Sequence, residues 1–247
     1  MKIYRDSAKK IEISSVEEWL EHCPPINPKI QWVEKRSAKE MAKFWTISEN
    51  QDEFLKFLRS FEENLNFDYA TPEVAAKFDE YKSPRKNDLC VYATNRNRNV
   101  LISIEGKSDE SFGERVFAEE WIRSINEKIQ TANSKKINRI IELYQRFNQD
   151  SNVLSLRYQL TYWLAGTIDE AVRSKIDTVF LIVQEFHSEK TKEKKIAKNQ
   201  SDLNYFVNFI SKSAYKNVGR NEIIGPIKNQ FTKQIDLYIG KFQKDLC

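Results

Sequence analysis

Three residues of this chain have the types and the spacing to do chemistry together. Asp88 opens the apolar run DLCVYA, and Glu105 and Lys107 close the run VLISIEGK with Gly106 between them. Both runs have strand length, and the polar stretch NRNRN that joins them suits a hairpin. Strand alternation puts Glu105 and Lys107 on one face, and hairpin pairing brings Asp88 alongside Glu105. Two carboxylates that close repel unless a positive charge lies between them, and a hard divalent cation fills that role. Lys107 then points into the same pocket, placed to orient or help deprotonate a bound water and to offset developing phosphate charge. An acid pair, a lysine and one cation suffice for metal-assisted phosphodiester hydrolysis. The same residues also suit a solvated hairpin edge, because charged residues make up 31% of the chain.

Composition narrows the other possibilities. The chain has 247 residues, 40 Lys+Arg against 36 Asp+Glu, a formal charge of +4 and a mean hydropathy of −0.65. No apolar run approaches the roughly 20 residues of a spanning helix, which excludes a membrane-spanning protein. With 15 Phe, 10 Tyr and 5 Trp the chain is not compositionally disordered. Cys23, Cys90 and Cys247 are scattered and odd in number, and His22 and His187 are the only histidines. A disulfide framework, a Cys/His zinc site and a histidine-centred nuclease are thereby excluded. The opening MKIYRDSAKK is charged where a signal peptide needs an apolar stretch, so a reduced cytoplasmic protein is expected.

The elements that must position the trio follow from periodicity. SVEEWLEH (15–22) reads as a short Ser-capped helix, and Pro24, Pro25 and Pro28 enforce an extended connection after it. SAKEMAKFW, from Ser37, has a capping-box pattern, and residues 50–64 carry the stripe Phe54, Leu55, Leu58 and Phe61. Beyond the hairpin, residues 114–130 form a helix with Val116, Phe117, Trp121 and Ile125 inward, and 153–174 form another. DTVFLIVQEF is the strongest strand and is expected at the sheet centre. EKTKEKKIAKNQ reads as a solvated loop or helix end, NYFVNFISKSA as a helix and IDLYIGKF as a last strand. The expected fold is a mixed α/β core over 67–247 with a helical N-terminal region, 1–66, packed on it as one continuous domain.

ND at 87–88, followed by EGK at 105–107 at the end of an apolar strand, resembles the PD-(D/E)XK nuclease superfamily. That resemblance implies a restriction-endonuclease-like core of helix, three-stranded meander, helix and strand, spanning Ala38 to Phe186. It implies Asp88, Glu105 and Lys107 as catalytic residues, with Asp88 and Glu105 holding Mg²⁺, for which Mn²⁺ substitutes. Asn87 stands where the pattern name has Pro, a position that varies and does not contact metal. Members that add a Glu before the meander point to Glu73, with Glu80 the weaker choice. A Gln on the following helix points to Gln159, with Arg157 beside it, and Glu110 is a further auxiliary candidate. QWVEKRSAKEMAKFW, EGKSDESFGE, LRYQL and LYIGK are similar to a small uncharacterised bacterial family within the superfamily.

The expected activity is therefore a Mg²⁺-dependent endonuclease of restriction or phage-defence type, acting on DNA rather than RNA, with a homodimer possible. A non-catalytic nucleic-acid- or partner-binding module on the same fold, and an RNA nuclease, remain as alternatives. Arg157 is equally suited to a buried ion pair. Lys135, Lys136, Arg139, Arg146 and the lysines of 190–198 suit either a solvated surface or a nucleic-acid backbone. The tryptophans are expected in the core, Cys90 as an inert hydrophobe and His187 as a strand-end residue.

Overall fold

The computed structural model describes residues 1–76, 85–132, 134–228 and 234–246; Glu80 and Cys247 fall outside them. The described strands are β1 (Lys2–Tyr4), β2 (Glu12–Ile13), β3 (Leu65–Ala76), β4 (Arg85–Asn95), β5 (Arg98–Lys107), β6 (Thr178–His187), β7 (Glu222–Ile227) and β8 (Asp236–Asp245). They form one mixed sheet in the order β2-β1-β3-β4-β5-β6-β8-β7. β3, β4 and β5 make an antiparallel meander, β6 runs parallel to both β5 and β8, and β7 closes the edge antiparallel to β8.

Helices cover both faces. Val16–His22 (α1), Pro28–Gln31 (α2), Ser37–Trp45 (α3) and Ser48–Arg59 (α4) precede the meander. Phe117–Gln130 (α5), Lys136–Arg146 (α6) and Tyr158–Arg173 (α7) lie between β5 and β6, and Glu193–Ile210 (α8) follows β6. The central position of β6 follows from its sequence: every residue from Thr178 to Phe186 is buried. Phe180, Ile182 and Phe186 meet Trp19, Phe44, Trp45 and Phe54 on one face, whereas Val179, Leu181 and Val183 meet Leu160, Trp163 and Phe206 on the other. A strand that is apolar on both sides needs two layers of cover, and the chain provides them.

Four local expectations are corrected. MKIYRDSAKK begins with a strand: Ile3 is buried and pairs with Ala70 of β3, so residues 1–66 are not wholly helical. Ser37 is the first residue of α3 rather than its cap; Arg36 holds that place, and the Ser37 hydroxyl donates to Glu110 instead. Ile125 faces outward because Glu120 and Ser124 take the inward positions on α5, Glu120 being paired with Lys136 at 2.5 Å. EKTKEKKIAKNQ is more than a loop or a helix end, for α8 starts at Glu193 inside this lysine-rich run.

Candidate active site

β4 and β5 carry the trio to the same end of the sheet. Their register runs to Leu89 opposite Ile104, so Asp88 and Glu105 come next on their strands. At that point the ladder ends on a side chain: the Gly106 N–H donates to Asp88 Oδ2 at 2.9 Å. This bond fixes the Asp88 carboxylate over the end of β5. Lys107 Nζ donates to Glu105 Oε1 at 2.9 Å, and Gln159 Nε2, from the first turn of α7, donates to the same oxygen. Glu105 is 1% and Lys107 4% exposed.

Gly106 explains how the N-terminal region reaches this spot. A Cβ there would lie 2.7 Å from Met41 Cγ, so the missing side chain lets α3 press against β5. α3 in turn sends Ser37 to Glu110, while the Ser108 hydroxyl donates to the Lys35 carbonyl at 2.6 Å and Asn199 Nδ2 of α8 to the Glu110 carbonyl at 2.9 Å. The strap after Lys107 is thus tied to both helical layers.

A cavity of about 720 Å³ opens over these groups. Asp88, Glu105, Lys107, Glu73, Glu110 and Gln159 all line it. Glu73 falls between the paired residues Pro72–Leu89 and Val74–Asn87 and has φ +52°, a left-handed conformation that a non-glycine residue adopts at a cost of about 1 kcal/mol. Lys86 Nζ lies 3.4 Å from Glu73 Oε2. Glu110 Oε2 is buried without a hydrogen-bond partner among the described residues. Burial opposes the charge of Lys107, yet the carboxylates of Glu105, Asp88 and Glu110 outweigh it and hold its pKa above the ordinary lysine value. In this arrangement Lys107 is an ammonium donor rather than a base.

Arg157 is the candidate that the structure takes elsewhere. Its Nε donates to Asp202 Oδ2 at 2.8 Å and its Nη1 to the Glu114 carbonyl at 3.0 Å, so it ties α7 to α8 and to the loop before α5. Arg157→Ala is expected to cost about 1–2 kcal/mol in urea unfolding and to change turnover only a few-fold. The basic residues of α6 are also less solvated than their sequence suggests: Arg139 is buried, and Arg146 pairs with Asp169 at 2.8 Å.

Sequence reasoning missed a second buried charge group beside the first. Glu185 is the register partner of Lys107, and its Oε2 lies 2.9 Å from both Lys241 Nζ and His187 Nε2. Lys241 also donates to Gln200 Oε1 at 2.7 Å. The signal was present in LYIGKF, where Lys241 follows Leu237 and Ile239 at strand alternation and must share their buried face. Trp19 and Cys23 also reach the cavity wall. Burial raises the Cys23 thiol to about 11 from 9.0. Alkylation by iodoacetamide should therefore be about 100-fold slower at pH 8 than in the denatured chain, rising with pH toward 11.

Residues 12–246 match the family described as Domain of unknown function (DUF6946). The chain belongs to that family. No curated protein and no solved structure matches it. The DUF6946 match takes in every site residue described above, together with α1 and β8 toward its two ends. Among the described residues of this DUF6946 chain, no helix is long and apolar enough to cross a membrane.

Proposed function

We propose that this protein is a metal-dependent nuclease that hydrolyses phosphodiester bonds in DNA, of restriction or phage-defence type. The observation that carries the proposal is the meeting of Asp88, Glu105 and Lys107 in one cavity, at the ends of adjacent strands. Their order in the fold supports it too: helices, an antiparallel meander, helices, then a strand parallel to the third strand of the meander. That is the core which the PD-(D/E)XK resemblance implies.

The donor set fits a hard cation. Asp88 and Glu105 offer carboxylate oxygens, and the surplus of acids is large enough to raise the pKa of Lys107. Among the described residues no group of three or more His, Cys, Asp or Glu is arranged to enclose a metal. A two-carboxylate set is the kind that Mg²⁺ takes while keeping several waters. Asp88 and Glu105 would hold the ion, which when bound supplies an activated water and neutralises phosphate charge. Gly106 and Gln159 hold those two carboxylates in place, and Lys107 presents a fixed positive charge to the phosphate.

The test is incubation of the purified chain with plasmid DNA, single-stranded DNA and tRNA, each with Mg²⁺, Mn²⁺ or EDTA. Metal-dependent loss of DNA is expected. Cleavage of tRNA alone would replace DNA by RNA as substrate, and no cleavage of any of the three would overturn the nuclease reading.

A further inference from the structure

The chain segment that contributes Ile26 and Trp32 to the cavity also exposes aliphatic side chains. Ile26 is 92%, Ile30 62% and Val33 45% exposed, all within one short segment of chain. Pro25, Ile26 and Trp32 from that segment line the cavity together with Tyr158 and Tyr162 of α7. Trp32 is half-buried against the core on one side, so its ring is anchored. The tyrosine rings stand edge to face, 4.9 Å apart. Pro24, Pro25 and Pro28 limit the backbone freedom of the segment.

Two features of this arrangement discriminate between substrates. Glu105 and Lys107 are almost wholly buried, so a phosphate has to descend into the cavity to reach them. A duplex presents phosphates outward and keeps its bases stacked inside, and proteins grip that outer surface with polar and cationic groups. Exposed apolar and aromatic residues beside the cavity that holds Asp88 and Glu105 do not match such a surface. An unpaired strand does match, because its bases are free to stack on aromatic rings while its backbone threads inward. The cavity volume, about 720 Å³, lies within the range that encloses a small ligand.

We infer that the site takes an unpaired DNA strand, with Trp32 as the platform on which a base next to the scissile phosphate stacks and Ile26 and Ile30 as a wedge that keeps the partner strand away. This inference rests on the nuclease reading above and names its substrate. Lys136, paired with Glu120, and the buried Arg139 of α6 line the same cavity.

The test has a cleavage arm and a binding arm. Wild-type protein with Mg²⁺ is given circular single-stranded DNA, the relaxed duplex of the same sequence, and single-stranded RNA. The single-stranded DNA should be cut at least tenfold faster than the duplex. Trp32→Ala should raise KM for single-stranded DNA about tenfold, as expected for one lost stacking contact. Trp32→Phe should recover most of that loss, and kcat and the urea midpoint of Trp32→Ala should stay close to the parent's, which a folding defect would not allow. In the binding arm, Glu105→Gln protein is titrated with a 2-aminopurine oligonucleotide, whose fluorescence should be quenched when single-stranded and not when annealed. Duplex cut as fast as single strand, an unchanged KM in Trp32→Ala, or faster cleavage of RNA would each overturn the inference. If nothing is cut, the nuclease reading fails, and the binding arm then decides separately: equal binding of duplex and single strand overturns the preference for unpaired DNA.

Discussion

Glu105→Gln is expected to lower metal-dependent DNA cleavage by about 10³-fold or more while leaving the protein as stable as the parent. The amide keeps an oxygen that accepts from Lys107 and Gln159, so both hydrogen bonds to Oε1 survive. What is lost is one of the two negative charges that would hold the cation, and a loss of that size corresponds to about 4 kcal/mol of transition-state stabilisation. Stability is preserved because the cavity concentrates Asp88, Glu105 and Glu110 around one buried lysine. Removing one acid relieves repulsion among the remainder. Lys107→Ala should be equally inactive and less stable, since it strips the counter-charge from buried Glu105. Initial rates on plasmid DNA with urea unfolding curves on the same samples check both halves. Retained cleavage by either variant would remove the trio from the chemistry.

The second large effect is structural. Trp45→Ala should destabilise the fold by about 3–5 kcal/mol, read as a lower urea midpoint. Trp45 is fully buried and meets Phe44 and Phe54 edge to face, the latter at 4.9 Å between centroids. Its indole N–H also donates to Gln184 Oε1 at 2.9 Å, from the α3 layer into β6. Gln184 Nε2 already has no hydrogen-bond partner among the described residues, so deleting the indole strands the whole amide in the core. An unchanged midpoint would mean that α3 docks on the sheet loosely.

How far the fold is legible depends on local pattern. β6 and the hairpin of β4 and β5 are plain, because uninterrupted apolar runs leave strands few alternatives. The approach of Asp88 to Glu105 follows from hairpin register alone. β3 does not read as a strand, for a physical reason: a bulge between Phe67 and Tyr69 shifts its alternation, and Pro72 interrupts it again. Leu65 and Ala70 consequently face one layer and Tyr69 the other, which no fixed period describes. α6 is hidden behind its charges, although Ile140 and Leu143 are fully buried. Gln159 is legible by resemblance, whereas Arg157 beside it sits at the helix start and is drawn to Asp202. The pairing of Lys241 with Glu185 needs the parallel order β5-β6-β8, which only long-range topology supplies. The aromatic rim is beyond pattern reading as well, since Trp32 and Tyr162 meet at the cavity from distant parts of the sequence.

The bond from the Gly106 amide to Asp88 makes one backbone nucleus a witness to the site. That proton rests on a carboxylate rather than on a carbonyl of the ladder, so its resonance position follows the charge on Asp88. A cation drawn to Asp88 withdraws electron density from the acceptor and moves this signal, while amides deep in the β6 ladder stay still. Titrating Mg²⁺ into labelled protein and following Gly106 would therefore measure ion affinity directly, without substrate and without turnover.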